Sequence, residues 1–260
     1  MEKKRALISV SNKTGIVEFA RVLFEEFSYE IISTGGTKKL LQENDIPVKG
    51  IEEVTGFPEM LDGRVKTLHP AIHGGLLALR EKKEHYEALE KHGIEFFDML
   101  VVNLYPFQET LQRKAPFDEI IENIDIGGPS MLRSAAKNYQ SVVVVPGVEW
   151  YEILLQEMRS LKGEVSRETK KELSAAVFFL TAQYDSAIAT FLSEGEYLLF
   201  PAERIETLRY GENPHQKAVA LRDPGSTLES TLARAVQLQG KPMSFLNYYD
   251  ADSALRMMLE

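Results

Sequence analysis

The chain has 260 residues, of which 44% are hydrophobic and 27% charged, as in an ordinary globular protein with a core of useful size. It contains no cysteine, which excludes a disulfide scaffold, a thiolate zinc site and a cysteine nucleophile, and which fits a reducing cytoplasm. The net charge of −9 disfavours nonspecific nucleic-acid binding, and we expect neither a membrane span nor a signal peptide, because no apolar run approaches the required length.

Short apolar runs alternate with helical patterns along the first half of the chain. Strands are predicted at residues 6–10, 29–33, 47–51, 100–104 and 142–145. Apolar residues recur at helical spacing from Ile16 to Leu23, and a single long helix is predicted over 167–193. The alternation predicts an α/β fold in which helices cover both faces of a parallel sheet.

The sequence pattern changes after the Glu194-Gly195-Glu196 turn, where Pro and Gly are scattered and the apolar segments are short. We therefore predict two domains, residues 1–197 and residues 198–260. The second piece is too short for a full α/β domain, so it is interpreted as the incomplete beginning of one.

Two loops rich in hydrogen-bond donors follow the first two strands. The first, Ser9–Gly15, offers hydroxyl groups and the charge of Lys13, and the second, Ser33–Thr37, adds two glycines that let a ligand approach the backbone. Parallel strands end at one edge of a sheet, so adjacent loops of this kind form a credible phosphate cradle. Plain helix capping by Ser11 or Asn12 is the alternative. Neither loop has the motif of a P-loop or a dinucleotide fold.

A basic segment, Gly63–Pro70, carries Arg64 and Lys66 on one side of an extended chain, where they could grip a phosphate or polarise a carbonyl. A solvated basic turn is the alternative reading. His69 and His73 are four residues apart, but Pro70 and the lack of an intervening Glu break the metalloprotease pattern, so no metal site is expected.

The segment Asp125–Ser130 leads into a helix that ends near Asn138. Pro129 suits the first helical position, and the bare backbone of Gly127 and Gly128 could stabilise a developing oxyanion. Tyr105, after another strand, could face the same crevice. Asp125 could instead be a turn or cap residue, and Lys137 a favourable cation at a helix C-terminus.

Seven motifs occur in an order that resembles one family, the bifunctional enzymes that formylate aminoimidazole carboxamide ribotide and close the product to inosinate. They are Ser-Val-Ser-Asn-Lys-Thr-Gly, Ser-Thr-Gly-Gly-Thr, Thr-Gly-Phe-Pro-Glu-Met-Leu, Gly-Arg-Val-Lys-Thr-Leu-His-Pro, Asn-Leu-Tyr-Pro-Phe, Ile-Asp-Ile-Gly-Gly and Ala-Ala-Lys-Asn. The match is dense over 5–195 and continues at 208–216, which resembles the start of the transferase domain.

The resemblance implies a methylglyoxal-synthase-like fold for the first domain, a homodimer and a cytoplasmic location. It assigns the nucleotide phosphate and sugar to Ser11, Asn12, Lys13, Thr34, Gly35, Gly36, Thr37, Arg64, Lys66 and Thr67. It places the catalytic residues Lys66, Tyr105, Asp125 and Lys137 around the closing ring, with Asn103, Ile126, Gly127 and Gly128 also against the substrate. Arg209 and Tyr210 would belong to the transferase's nucleotide site.

The implied reaction is an attack of the carboxamide nitrogen on the formyl carbon, followed by loss of water. Backbone N–H groups at 126–128 would stabilise the formyl oxygen, and Lys137, steered by Asp125, would move protons in a direction left open. This step needs no metal or organic cofactor, since 10-formyltetrahydrofolate serves only the transferase. The family's Lys-His-x-x-Pro-x-Gly-type segment is not found here, so we expect cyclisation without formyl transfer.

Two other function classes fit a phosphate cradle. A regulatory ligand-binding domain would not need the set Tyr105, Asp125 and Lys137. Methylglyoxal synthase, which expels phosphate from a triose phosphate, would need a catalytic carboxylate near the phosphate loop, and neither donor-rich loop contains an acidic residue. The expected partner is a small-molecule nucleotide, with no nucleic acid and no membrane.

Overall fold

The described chain, residues 3–105, 107–224 and 231–259 of a computed structural model, divides into two compact units, Met1–Ile188 and Ala189–Glu260. Unit 1 contains a five-stranded parallel sheet, as the alternating pattern predicts. Its strands are β1 (Arg5–Val10), β2 (Glu30–Ser33), β3 (Val48–Gly50), β4 (Met99–Asn103) and β5 (Val143–Val145). Each strand lies within one residue of its predicted bounds, because buried Val, Ile and Leu runs mark strands that are covered on both faces.

Ten α-helices belong wholly or mainly to the described part of unit 1. They are α1 (Ile16–Glu25), α2 (Gly35–Glu43), α3 (Ile51–Thr55), α4 (Pro70–Leu77), α5 (Lys83–Lys91), α6 (Phe107–Gln112), α7 (Phe117–Glu122), α8 (Gly127–Lys137), α9 (Tyr151–Ser160) and α10 (Arg167–Leu192). α1 packs beside α2 and α9, and α4 packs on α8, which in turn contacts β4 and β5. The core between these elements includes Phe19, Leu23 and Leu132.

The strand order β3-β2-β1-β4-β5 places the first two strands side by side and reverses direction between β1 and β4. The chain adds β2 and β3 on one side of β1 and then crosses back to add β4 and β5 on the other. Ligands of open parallel sheets bind beyond the carboxyl ends of the strands at such a reversal. The fold therefore directs attention to the loops after Val10, Ser33 and Asn103.

The long helix α10 meets the predicted bounds almost to the residue. Its length and its mean hydropathy of 1.3 would by themselves also allow it to cross a membrane, and the expectation of no membrane span stays a prediction. Ser, Thr and Gln interrupt the apolar run of this helix. Leu173, Val177 and Tyr184 of this helix are buried within unit 1.

Unit 2 holds a two-stranded antiparallel sheet and one helix in its described part. β6 (Glu203–Thr207) pairs with β7 (Val219–Arg222), and α11 spans Phe245–Leu259. Few of its side chains are buried, and Val236 and Leu238 are 80% and 91% exposed. Unit 2 thus has few buried side chains among the residues that the structure describes, and the incomplete domain stays a prediction.

Candidate functional site

A cavity of about 700 Å³ opens at the carboxyl ends of β1, β2 and β4. Of the predicted site residues, it is lined by Ser11, Lys13, Thr34, Gly35, Gly36, Thr37, Arg64, Lys66, Thr67, Asn103, Tyr105, Asp125, Ile126, Gly127 and Gly128. Asn12 and Lys137, although described, do not line it. The parallel sheet therefore brings together five segments that are up to 117 positions apart in sequence, from Ser11 to Gly128.

The loop after β1 is held by Asn103 at the end of β4. The Asn103 Oδ1 accepts hydrogen bonds from the N–H groups of Ser11 and Asn12, at 2.6 and 2.9 Å, and its Nδ2 donates to the Asn12 carbonyl at 3.0 Å. Asn12 in turn accepts from the Thr14 N–H through its Oδ1 at 2.9 Å. Both asparagines thus shape the loop, but neither Ser11 nor Asn12 caps α1, whose N-cap is Gly15 with no side-chain cap hydrogen bond.

Lys13 points into the floor of the cradle between the two loops. Its Nζ donates to the Thr37 Oγ1 at 2.8 Å and to the Val10 carbonyl. Burial lowers the pKa of Lys13. Thr37 is itself buried, with 2% exposure, so the ammonium lies against α2 and next to the strand ends. A ligand phosphate would meet this charge at the base of the cavity.

The loop after β2 is shorter than the sequence suggests, because α2 begins at Gly35 instead of near Thr37. Thr34 flanks the helix start, and its Oγ1 is 2.8 Å from the Ser9 Oγ. The N–H groups of a first helical turn have no partner within the helix, and in α2 they belong to Gly35 and Gly36, which line the cavity. An Ala at Gly36 would meet nothing within 4 Å, so this turn leaves room for a ligand against the backbone.

The basic segment forms a small hairpin over the cavity. Met60 and Val65 pair as an isolated antiparallel bridge, and Glu59 binds the ammonium of Lys66 beside it. Gly63 has a φ of 93°, and an added Cβ there would lie 2.8 Å from a Glu59 carboxylate oxygen. Glu59 was not predicted as a site residue, although it lies in the motif Thr-Gly-Phe-Pro-Glu-Met-Leu.

Arg64 is likewise bound to a carboxylate that the sequence analysis did not select. Its guanidinium contacts both carboxylate oxygens of Glu122, with an Nε···Oε1 distance of 3.3 Å. Three cations, Lys13, Arg64 and Lys66, therefore share the cavity lining with three carboxylates, those of Glu59, Glu122 and Asp125. Glu122 is 58 positions away in sequence, and no local pattern signals such a pair.

Asp125 lies at the start of α8, which begins at Gly127, so Pro129 occupies the third helical position and not the first. The shift is tolerated because no N–H of the first turn has a partner within the helix. The Asp125 Oδ1 accepts from the Gly128 N–H at 2.8 Å. Burial raises the pKa of Asp125, while hydrogen bonds from the backbone of Gly128, Tyr105 and Gly127 oppose that rise. The amides predicted for an oxyanion are thus shared with this carboxylate.

Lys137 is exposed and lies at the opposite end of α8 from Asp125. A rise of 1.5 Å per residue separates the ends of this 11-residue helix by roughly 15 Å. The predicted pairing of Asp125 with Lys137 is therefore not formed within the chain, because the two residues are twelve positions apart along a helix and their side chains cannot come into contact. Lys137 instead stands in the last turn, where a cation is favourable.

The two histidines of the basic segment have structural contacts. The His69 Nδ1 accepts from the Ala71 N–H at 3.1 Å and so caps α4, and the His73 Nδ1 is 2.9 Å from the Ser134 Oγ on α8. Burial lowers the pKa of His73. No cluster of three or more His, Cys, Asp or Glu side chains able to hold a metal ion occurs within residues 3–105, 107–224 and 231–259.

Arg209 and Tyr210 belong to unit 2. The Arg209 guanidinium lies 5.2 Å from the centre of the Tyr210 ring and 3.4 Å from the Asn247 Oδ1. The Arg209 N–H donates to the Met243 carbonyl at 3.0 Å, and the N–H of Phe245, at the start of α11, donates to the Tyr210 carbonyl at 3.1 Å. Their predicted role in a transferase site stays a prediction.

Two family models match the chain in succession. The model of the MGS-like domain matches residues 15–130, and that of the AICARFT/IMPCHase bienzyme matches residues 135–260. Proteins named "bifunctional purine biosynthesis protein PurH" are 53% identical in Bacillus cytotoxicus and 54% identical in Halalkalibacterium halodurans and Listeria monocytogenes, each over 99% of this chain. The chain belongs to this bifunctional family.

The predicted methylglyoxal-synthase-like fold is confirmed by the first of these models. A crystal structure of ForH is similar to 74% of the chain, with a TM-score of 0.64 and 30% identity over the whole of ForH. The chain spans about half the length of the curated relatives, 51% for the three just named. The activities of those longer proteins are therefore only a proposal for this chain.

Proposed function

We propose that unit 1 closes formylated aminoimidazole carboxamide ribotide to inosinate with loss of water. One observation carries the proposal, namely a cavity whose lining combines anion donors of the loops after β1 and β2 with Lys66, Tyr105 and Asp125. Its volume of about 700 Å³ lies within the usual range for small-molecule sites. The membership of a family of bifunctional purine biosynthesis proteins supports the same reaction.

The cradle would anchor the ribotide phosphate, with Ser11, Lys13 and the first amides of α2 as donors. This remote binding would hold the carboxamide and the formyl group in a near-attack geometry, which is a large part of the rate of an intramolecular reaction. Hydroxyl groups that could contact the sugar come from Thr34, Thr37 and Thr67. The Arg64 guanidinium would leave Glu122 and bind the ligand.

At the ring end, Asp125 would accept the proton of the attacking carboxamide nitrogen. Its raised pKa suits a base that works near neutral pH, and its carboxylate is held by backbone amides. Because Gly128 already donates to Asp125, we assign the growing negative charge on the formyl oxygen to Lys66, with Tyr105 orienting the carboxamide. Lys137 stays a candidate proton donor by resemblance alone, and its protons would not come through Asp125.

Methylglyoxal synthesis is the second candidate, and one observation favours it. The hairpin brings the Glu59 carboxylate to the phosphate cradle, where the two donor-rich loops themselves have no acid. The purified chain should be incubated with the formylated ribotide and, separately, with dihydroxyacetone phosphate. Purine absorbance from the first substrate alone supports ring closure, whereas release of inorganic phosphate from the second supports the alternative.

We further propose residues 1–197 as the cyclohydrolase domain and 198–260 as the beginning of the formyltransferase domain of a longer parent. In that parent, 10-formyltetrahydrofolate would be the co-substrate of formyl transfer, and ring closure would need no cofactor. A homodimer that works in the cytoplasm on small-molecule nucleotides completes the proposal. It is supported by the family and by the absence of cysteine in the sequence.

A further inference from the structure

Tyr184 ties the long helix α10 to the loop that precedes α8. Its hydroxyl accepts a hydrogen bond from the Asp125 N–H at 2.8 Å and donates one to the Asn123 carbonyl at 3.2 Å. The side chain is 6% exposed, and burial raises the pKa of Tyr184 to about 12. The hydroxyl thus keeps its proton at neutral pH, and both bonds fix the backbone on either side of Ile124.

The ring of Tyr184 braces a second segment of the same site. It packs edge-on against Phe107, with ring centres 5.8 Å apart and planes at 61°. The Phe107 N–H donates to the Tyr105 carbonyl at 2.8 Å, and the backbone of Tyr105 is among the donors to the Asp125 carboxylate. One side chain therefore supports two of the segments that determine where this carboxylate lies.

The brace comes from outside the part of the chain that resembles other MGS-like domains. Asn123, Asp125 and Phe107 fall within residues 15–130, which match the MGS-like model, whereas Tyr184 falls within the bienzyme match over 135–260. Tyr184 does not line the cavity itself. Tyr184, which belongs to the bienzyme match, can therefore influence the cavity only through its contacts with Asp125 and the neighbouring residues.

We propose that Tyr184 is a positioning residue, which holds Asp125 in place for the ring closure proposed above, on which this inference rests. A carboxylate that takes a proton from a reacting nitrogen must be placed to within a fraction of an ångström, and supporting hydrogen bonds supply that precision. Without the hydroxyl, the Asp125 N–H loses its acceptor and the Asn123 carbonyl loses its donor, so the loop gains freedom at the point where the carboxylate is attached.

Tyr184→Phe removes the hydroxyl and leaves the ring against Phe107. We expect kcat for ring closure to fall about tenfold with KM unchanged, as for the loss of one supporting hydrogen bond. Exchange of the Asp125 amide, followed by NMR, should become at least about tenfold faster. Tyr151→Phe is the matched control, since the buried Tyr151 hydroxyl has no hydrogen-bond partner within the described chain. It should change neither quantity.

A second background separates positioning from general stability. In Asp125→Asn, adding Tyr184→Phe should cost no further activity, because the tyrosine acts through the carboxylate. An unchanged kcat in Tyr184→Phe, an unchanged exchange rate of the Asp125 amide, or an equal further loss in Asp125→Asn would each overturn the inference. A parent chain that fails to close the ring contradicts the proposed function instead, and the amide exchange then still decides whether Tyr184 holds Asp125.

Discussion

Glu59 and Lys66 face each other across the hairpin, and their side chains form an ion pair in the wall of the cavity. The bridge between Met60 and Val65 places the two flanking residues opposite each other. The Lys66 Nζ lies 3.4 Å from the position that a Cβ on Gly35 would occupy, at the start of α2. A carboxylate therefore holds a cation at the mouth of the proposed phosphate cradle and competes there with an anionic ligand.

Glu59→Gln should tighten the binding of inosinate, because it removes the negative charge that neutralises Lys66. The pair is partly exposed, so the gain should not exceed about fivefold and should shrink at high salt. Titration calorimetry at two salt concentrations measures it. Glu43→Gln on α2, which removes the partner of Lys39 far from the lining residues, is the matched control. Weaker binding by Glu59→Gln would mean that Glu59 orients Lys66 and does not compete with the ligand.

Gly127→Ala should destabilise the fold by about 1–3 kcal/mol, as overpacking does. An added Cβ would lie 2.6 Å from the Oγ1 of Thr67, which is buried. Chemical denaturation gives the free energy of unfolding. Thr67→Ala, which removes the obstructing oxygen, should restore much of the loss in the double variant, whereas Thr67→Val should not. Equal behaviour of the two double variants would show that this contact does not limit the site.

Asp125→Asn should lower the rate of ring closure by about 10²- to 10⁴-fold, since it removes the proposed base. It should also stabilise the protein at neutral pH. The folded-state pKa is raised, so the carboxyl group favours folding fully below its unfolded pKa, and that contribution is lost as the pH rises through the folded pKa. Asparagine keeps an acceptor for the Gly128 amide without the charge. The kinetics of ring closure and thermal unfolding at acidic and neutral pH should be measured on the same variant. A variant that is both inactive and less stable at neutral pH would contradict this account.

Lys137→Ala and Asp125→Asn should have additive effects on the logarithm of kcat, because the two residues lie at opposite ends of α8. Lys137→Ala alone should also lower the free energy of unfolding by up to about 1 kcal/mol, from the lost interaction with the helix dipole. The two single variants and the double variant should be assayed together. A double variant no worse than the more damaged single variant would show that the residues act as a unit in some other arrangement.

Much of the cavity could be predicted from the sequence, because strand-end motifs meet wherever parallel strands share an edge. The loops at Ser11 and Thr34 are found together for that reason, whereas the start of α8, which also lines the cavity, follows α7 and not a strand. The partners that hold them could not be predicted. Glu122 contacts Arg64 across 58 positions and Tyr184 contacts Asp125 across 59, and each reads locally as an ordinary helix residue.

Two predictions about α8 were wrong, each for its own physical reason. Helix α8 starts two residues before Pro129 because an N–H missing from the first turn costs nothing there. The pairing of Asp125 with Lys137 was inferred from roles that both residues have in one reaction, without the length of the helix between them. The expected chemistry predicts which residue types a site needs, whereas the geometry of the helix determines which of those residues can be in contact.

The structure of the chain in complex with inosinate tests the central claim most directly. We predict the phosphate between the loop at Ser11–Lys13 and the first turn of α2, with the purine ring toward Asp125 and Lys66. Arg64 should have left Glu122 for the ligand. A phosphate bound outside these loops, or a purine ring turned away from Asp125, would contradict the account.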